Sequence, residues 1–176
     1  MVRCLLAIAT VLGLAGAASA DPRAAGLHGG VLAGGGATTA DDVRGPSAIL
    51  GAHLGWLASG ARFGFEAQLF GSQARLASRW RTDGVIIAAL RLWPTRRVSL
   101  TAGVGFAAGD NGGAEGELVA DGAAVAATLG VELARWGHTG LSLRALVFGA
   151  QPAGVTAYTA ALGLALDFDS LSTPKR

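Results

Sequence analysis

The chain has one cysteine and one methionine in 176 residues. These are Cys4 and Met1, both inside an N-terminal stretch that reads as a leader. The chain beyond the leader therefore has no thiol to pair, to attack a substrate or to hold a metal. Charge is scarce too: Asp, Glu, Lys and Arg make 15% of the chain, against the ~25% usual in soluble domains. It is also nearly balanced in sign, because of 14 basic and 12 acidic side chains only Arg3 belongs to the leader. Bulk charge therefore points to no nucleic-acid partner. Although 51% of the residues are hydrophobic, no run of ~18 consecutive apolar residues occurs beyond the leader, which argues against transmembrane helices.

The leader opens Met1-Val2-Arg3, continues through an apolar stretch from Cys4 to about Ala17, and reaches Ala18-Ser19-Ala20. A short basic start, an apolar middle and an A-x-A site are the parts of a secretory signal peptide, here residues 1–20. A retained anchor fits less well. The apolar stretch is short for ~30 Å of hydrocarbon and lacks basic residues on its far side. Cys4 precedes the apolar middle, so it does not fit a lipoprotein signal.

What is present is glycine, 28 residues of it, inside stretches of alternating apolar side chains. Period 2 predicts eight strands, at about 26–35, 47–57, 61–71, 84–93, 97–107, 122–135, 139–150 and 155–168. In the last, Tyr158, Ala160, Leu162, Leu164, Leu166 and Phe168 share one face, with Thr159, Gly163 and Asp167 behind. In the third, Phe63, Phe65, Ala67 and Leu69 oppose Arg62, Gly64, Glu66 and Gln68. The fourth is apolar on both faces apart from Arg91. Glycines at strand-like intervals oppose the helix that the alanines would favour.

The links are expected to alternate. Those at 58–60, 94–96 and 136–138 are tight, whereas 36–46, 72–83 and 108–121 read as long and polar; 151–154 is short and breaks the rhythm. Three of the four tryptophans, Trp56, Trp93 and Trp136, sit at the tight links. With Phe168 they form an expected aromatic girdle at one membrane interface, where an indole's apolar body and single N–H are both accommodated. A secreted, largely apolar chain without spanning helices fits the bacterial outer membrane, in which strands of ~10 residues cross a bilayer. A soluble periplasmic β-sandwich is the competing reading, and it requires the apolar faces to meet in a shared core.

The strand–turn–strand run Leu90-Arg91-Leu92-Trp93-Pro94 through Val98-Ser99-Leu100-Thr101-Ala102-Gly103-Val104-Gly105-Phe106, with a last strand ending at Phe168, resembles the small eight-stranded outer-membrane barrels of the OmpA/OmpX type. The resemblance covers residues 21–168. It implies an all-β, antiparallel, up-and-down transmembrane barrel, expected as a monomer. It also implies that the last strand serves as the signal read by the barrel-assembly machinery. A short tail, 169–176, comes after it, with no room for a peptidoglycan-binding domain.

The inward faces are expected to collect Arg62, Glu66, Gln68, Arg91, Glu132 and Arg144. An eight-strand lumen is just wide enough for side chains, so these charges must pair, and an ion-pair network plugging the barrel is expected. At 72–83, Arg75, Arg79 and Arg81 flank Trp80, a pattern suited to phosphates of lipopolysaccharide or other outer-membrane lipid. His28 and His53 fall within strands and His138 in a tight link, with no Ser-plus-acid pattern beside them. No catalytic residue, metal or cofactor is expected. Glu115 and Glu117 match no calcium-loop spacing, and the Gly103 to Ala108 run has no helix after it to bind a dinucleotide. The functional expectation is a structural or surface-interaction role in envelope integrity or adhesion. The alternatives are a narrow channel or carrier of small hydrophobic molecules and, further off, a lipid-modifying enzyme. N-terminal sequencing of the exported protein should start at Asp21; an intact Met1 terminus would overturn the leader reading.

Overall fold

The structure is a computed structural model and describes residues 26–57, 62–110, 118–152 and 155–169. The leader, the link 58–60, Glu115, Glu117 and the tail beyond Asp169 lie outside the described residues. Eight antiparallel strands form a closed barrel in chain order: β1 (Gly26–Ala40), β2 (Val43–Leu57), β3 (Phe63–Leu76), β4 (Arg79–Leu92), β5 (Val98–Asp110), β6 (Leu118–Trp136), β7 (Thr139–Ala150) and β8 (Ala157–Asp169). β8 returns to β1 over thirteen registered pairs from His28↔Asp169 to Ala40↔Ala157. Closure leaves the ring no open edge on which to aggregate. The rim at which β1 begins and β8 ends is here the terminal rim, and the opposite one the far rim.

Alternation decides which side chain faces where. In β3 exposure and burial alternate from Phe63 to Arg75, with Phe65 and Leu69 outside and Glu66, Gln68 and Phe70 inside. Leu129 and Leu164 are 44% and 52% exposed, and Leu100 shares its face of β5 with the exposed Val104 and Phe106. Glu66, Arg91 and Arg144 are buried. The apolar faces therefore point out of the ring. A soluble sandwich needs the reverse, and an apolar belt of this extent has no place in water. The sandwich reading is overturned.

The alternation of long and short links needs correction. Residues 36–46 and 72–83 are not loops but strand, closed by the two-residue turns Asp41-Asp42 and Ala77-Ser78. Asp41 and Asp42 both have positive φ, 47° and 63°, as a type I′ hairpin requires, and Asp tolerates that region. β1 thus reaches Ala40 where the pattern predicts an end near 35, and β4 begins at Arg79 where it predicts 84.

β6 carries a bulge. Glu132 pairs with Ser142 but Ala134 pairs with Leu141, so Leu133 is the additional residue. A bulge shifts alternation by one. Strict period 2 would set Trp136 on the face of Thr128 and Glu132; the bulge turns it outward, where it is 61% exposed.

Inside, the barrel has three layers. At the terminal rim lie His28, His53, Glu66, Gln68, Arg91, Arg144 and Asp167. The middle is apolar, with Leu32, Ile49, Phe70, Val85, Ile87, Leu146 and Phe148 in one buried cluster; the Phe70 and Phe148 rings stack at 6.3 Å. Toward the far rim come Ser47, Ser72 and Asp83, and Thr38 bonded to Thr159 at 2.8 Å. Glycine makes the large middle side chains possible. A Cβ on Gly51 would stand 2.5 Å from Phe70 Cδ1, whereas one on the outward Gly71 would meet nothing within 4 Å. Gly51→Val should therefore cost about 1–3 kcal/mol of stability in urea unfolding from lipid vesicles, and Gly71→Ala should not destabilise. Equal behaviour of the two variants would contradict the packing described.

Candidate functional site

The charged layer at the terminal rim is the only place where the described strands bring ionisable groups from β1, β2, β3, β4, β7 and β8 together. Each arrives by alternation: Glu66 and Gln68 on β3, Arg91 on β4, Ser142 and Arg144 on β7, Asp167 on β8. Glu66 Oε2 stands 3.0 Å from Arg91 Nε and 3.2 Å from His28 Nε2, and Gln68 Nε2 donates to Glu66 Oε1. Arg91 Nε also donates to Thr101 Oγ1 at 3.2 Å. Asp167 closes the other half: it accepts from Arg144 Nη2 and from Ser142 Oγ at 2.7 Å. His53 joins the halves. Its Nε2 lies 3.3 Å from Asp167 Oδ1 and 3.3 Å from Arg91 Nη1, and its Nδ1 is 3.5 Å from Arg144 Nη1.

Two carboxylates thus face two guanidiniums in a space that water hardly enters. Burying such charges is expensive, and close pairing with additional hydrogen bonds offsets the cost. The remaining space is about 20 Å³, bordered by His28, His53, Arg91, Arg144 and Asp167 among others, room for about one water. Asp167 stands between Ser142 and His53, whereas a nucleophilic serine needs the imidazole next to it and the acid behind.

Placement of the expected residues is mixed. Glu66, Arg91 and Arg144 meet as described. Arg62 precedes β3 and is half-buried, its carbonyl accepting the Trp93 N–H at 2.8 Å. Glu132 is drawn to the terminal rim, where its carboxylate pairs with Arg135 Nη2 at 2.5 Å; Arg135 Nη1 in turn reaches Asp169 at 2.5 Å. Trp56, Trp136 and Phe168 face outward, but Trp93 does not. It is 7% exposed, lies edge-on to the His28 ring at 5.6 Å and has Arg91 Cζ 5.7 Å from its ring centroid. This corrects its girdle assignment. Two residues after the inward Arg91, parity sends Trp93 inward as well.

On the far-rim hairpin, Arg75 and Trp80 are registered partners facing outward, and Arg79 is exposed. Arg81 departs from the expectation of an outward cation. Its Nε bonds both oxygens of the fully buried Asp83, at 3.0 and 2.9 Å, because alternation places 81 and 83 on the inner face. Among the described residues no group of three or more His, Cys, Asp and Glu converges as a metal site. Sequence reasoning passes over Asp167, His28 and His53. Their signal is parity with Gly163 and Thr159 in β8 and with the inward glycines of β1 and β2.

No protein-family model and no curated protein matches the sequence. The solved structures do match. Neisserial surface protein A is 12% identical, with 82% of this chain covering 99% of that one at a TM-score of 0.63. Ail, the attachment invasion locus protein of Yersinia pestis, is 12% identical, with 81% covering 99% at 0.52. The shared property is the fold, that of the small eight-stranded outer-membrane barrels.

Removing one partner from the buried network should be costly, and removing both less so. Arg144→Met should lower unfolding free energy by about 3–5 kcal/mol, and Arg144→Met combined with Asp167→Asn should recover part of that loss. A single-variant cost below ~1 kcal/mol, the range of exposed pairs, would mean the charges are solvated.

Proposed function

We propose that this protein is an integral outer-membrane barrel with a closed lumen, acting through its surface in envelope structure or adhesion. The observation that carries this is the layered interior. Among the described residues, the paired charges at the terminal rim and the stacked Phe70 and Phe148 above them support a lumen filled by side chains. A pore needs binding groups or water along its whole length, and an apolar constriction dewets. The outward apolar belt with Trp56, Trp136 and Phe168 near one rim suits a hydrocarbon slab with an aromatic interface. In this reading the terminal rim faces the periplasm and the far-rim hairpins face outward. Arg75, Arg79 and Trp80 then stand where lipopolysaccharide phosphates lie, with Arg81 bracing the hairpin from inside. The Asp167-centred order of Ser142 and His53 favours a structural network over a catalytic one.

The protein reconstituted in planar bilayers should show no stable open level. Phe70→Ala with Phe148→Ala, which empties the apolar middle, should introduce flickering conductance. A large, steady conductance from the unaltered protein would overturn the closed lumen and favour the channel.

A further inference from the structure

On the outer wall near the far rim, register joins five outward residues into a row: Val125, Gly149, Tyr158, Thr39 and Arg44. The next row toward the membrane is Ala127, Val147, Ala160 and Ala37. Gly149 and Thr39 on either side of Tyr158, with Ala127, Ala160 and Ala37 in the row beneath, leave a depression of about 510 Å³, within the ~300–1,000 Å³ of ligand sites. The Tyr158 ring leans toward Gly149, whose Cβ, were there one, would lie 3.3 Å from Tyr158 Cδ1. Ala160 and Ala37, directly paired, are left as the floor, and Thr39 and Arg44 as the upper border. The depression is therefore apolar below and polar above, with an exposed cation at its upper end.

The polar end of the depression lies toward the far rim, where Thr39 and Arg44 flank the Asp41-Asp42 turn. On the reading of the chain as a membrane barrel, the apolar part lies at acyl-chain depth and Arg44 at headgroup depth. A guanidinium and a hydroxyl side by side suit a phosphate monoester, which takes charge-assisted hydrogen bonds from both. A second outer-wall depression, about 620 Å³, lies nearer the terminal rim beside Trp56, Phe65, Leu54, Leu90 and Val104. Its outward lining carries no charge among the described residues, so it has no element to select one headgroup. We propose that the depression between β6 and β2, across β7, β8 and β1, is a binding site for a phosphorylated lipid of the leaflet at the far rim. An acyl chain lies over Ala160 and Ala37, and the phosphate meets Arg44 and Thr39.

The test is native mass spectrometry of the folded protein released from nanodiscs containing diphosphoryl lipid A or its dephosphorylated form. One phosphorylated lipid should be retained per barrel. Arg44→Ala should reduce retention roughly fivefold or more, the effect of one cation near a charged surface, and Ala160→Leu should reduce it as well, while Arg96→Ala, at an exposed cation of the terminal-rim turn, should not. Ala160→Leu places a larger apolar side chain on a lipid-facing position, and resistance of the barrel to SDS before heating reports that it still folds. Equal retention of the dephosphorylated lipid, or an equal loss in Arg96→Ala, would overturn the site. Failure of the unaltered protein to float with phosphatidylcholine vesicles would overturn the membrane reading itself. Flotation with unselective lipid retention would overturn the site alone.

Discussion

Eight strands close into a ring whose interior is just wide enough for side chains to meet across it, and most of what the chain does inside depends on that width. Every inward position must either fill space or find a polar partner within a few ångströms. Where the inward residue is large, a glycine lies beside or opposite it, as Gly51 does for Phe70 and Gly30 for His53. Where it is charged, its counter-charge comes from the neighbouring strand, as Asp167 of β8 does for Arg144 of β7 and Glu66 of β3 for Arg91 of β4. The constraint is mutual. A substitution on one strand is felt by a partner dozens of residues away in sequence, and local reading of either strand gives no sign of it.

The outer surface obeys a looser rule, since lipid accepts almost any apolar shape. This asymmetry explains which parts of the molecule are legible in the sequence. The belt, the strand count and the closed, antiparallel order can be read from alternation because lipid imposes period 2 on one face without demanding particular residues. The charged layer is half legible: Glu66, Arg91 and Arg144 stand out as charges in apolar strands. His53 and Asp167 escape notice because their part in the network exists only when β2 and β8 are brought to the same height. Trp93 misleads for a related reason. A tryptophan beside a turn suggests an interface, yet alternation from Arg91 already places it inside, and parity outweighs the chemistry of the indole.

Bulges show the opposite failure. Alternation alone would put Trp136 in the lumen, on the face of Thr128 and Glu132. Leu133 inserts one residue and reverses the faces beyond it, so Arg135 turns in toward Glu132 and Asp169 while Trp136 turns out. Nothing in the run Glu132-Leu133-Ala134-Arg135-Trp136 announces an inserted residue. Its position becomes understandable only at the rim, where twisting β6 brings a cation to two carboxylates and an indole to the outside together.

The far rim has a further consequence for recognition. Residues 36–46 and 72–83 look like loops because most of their side chains are small or polar, which reflects strands leaving the apolar belt toward the far rim. Their continuation as paired strand with two-residue turns makes them stiff. A stiff hairpin loses little entropy when a partner binds, unlike a loop that must first be ordered. It also divides its side chains by face. Arg75 and Trp80 are presented outward as a pair, and Arg81 is taken inward by Asp83. The outward group can therefore change without disturbing the inner pair, and the inner pair holds the backbone that presents it. On a wall this narrow, that division is what lets a surface vary while the ring beneath it stays the same.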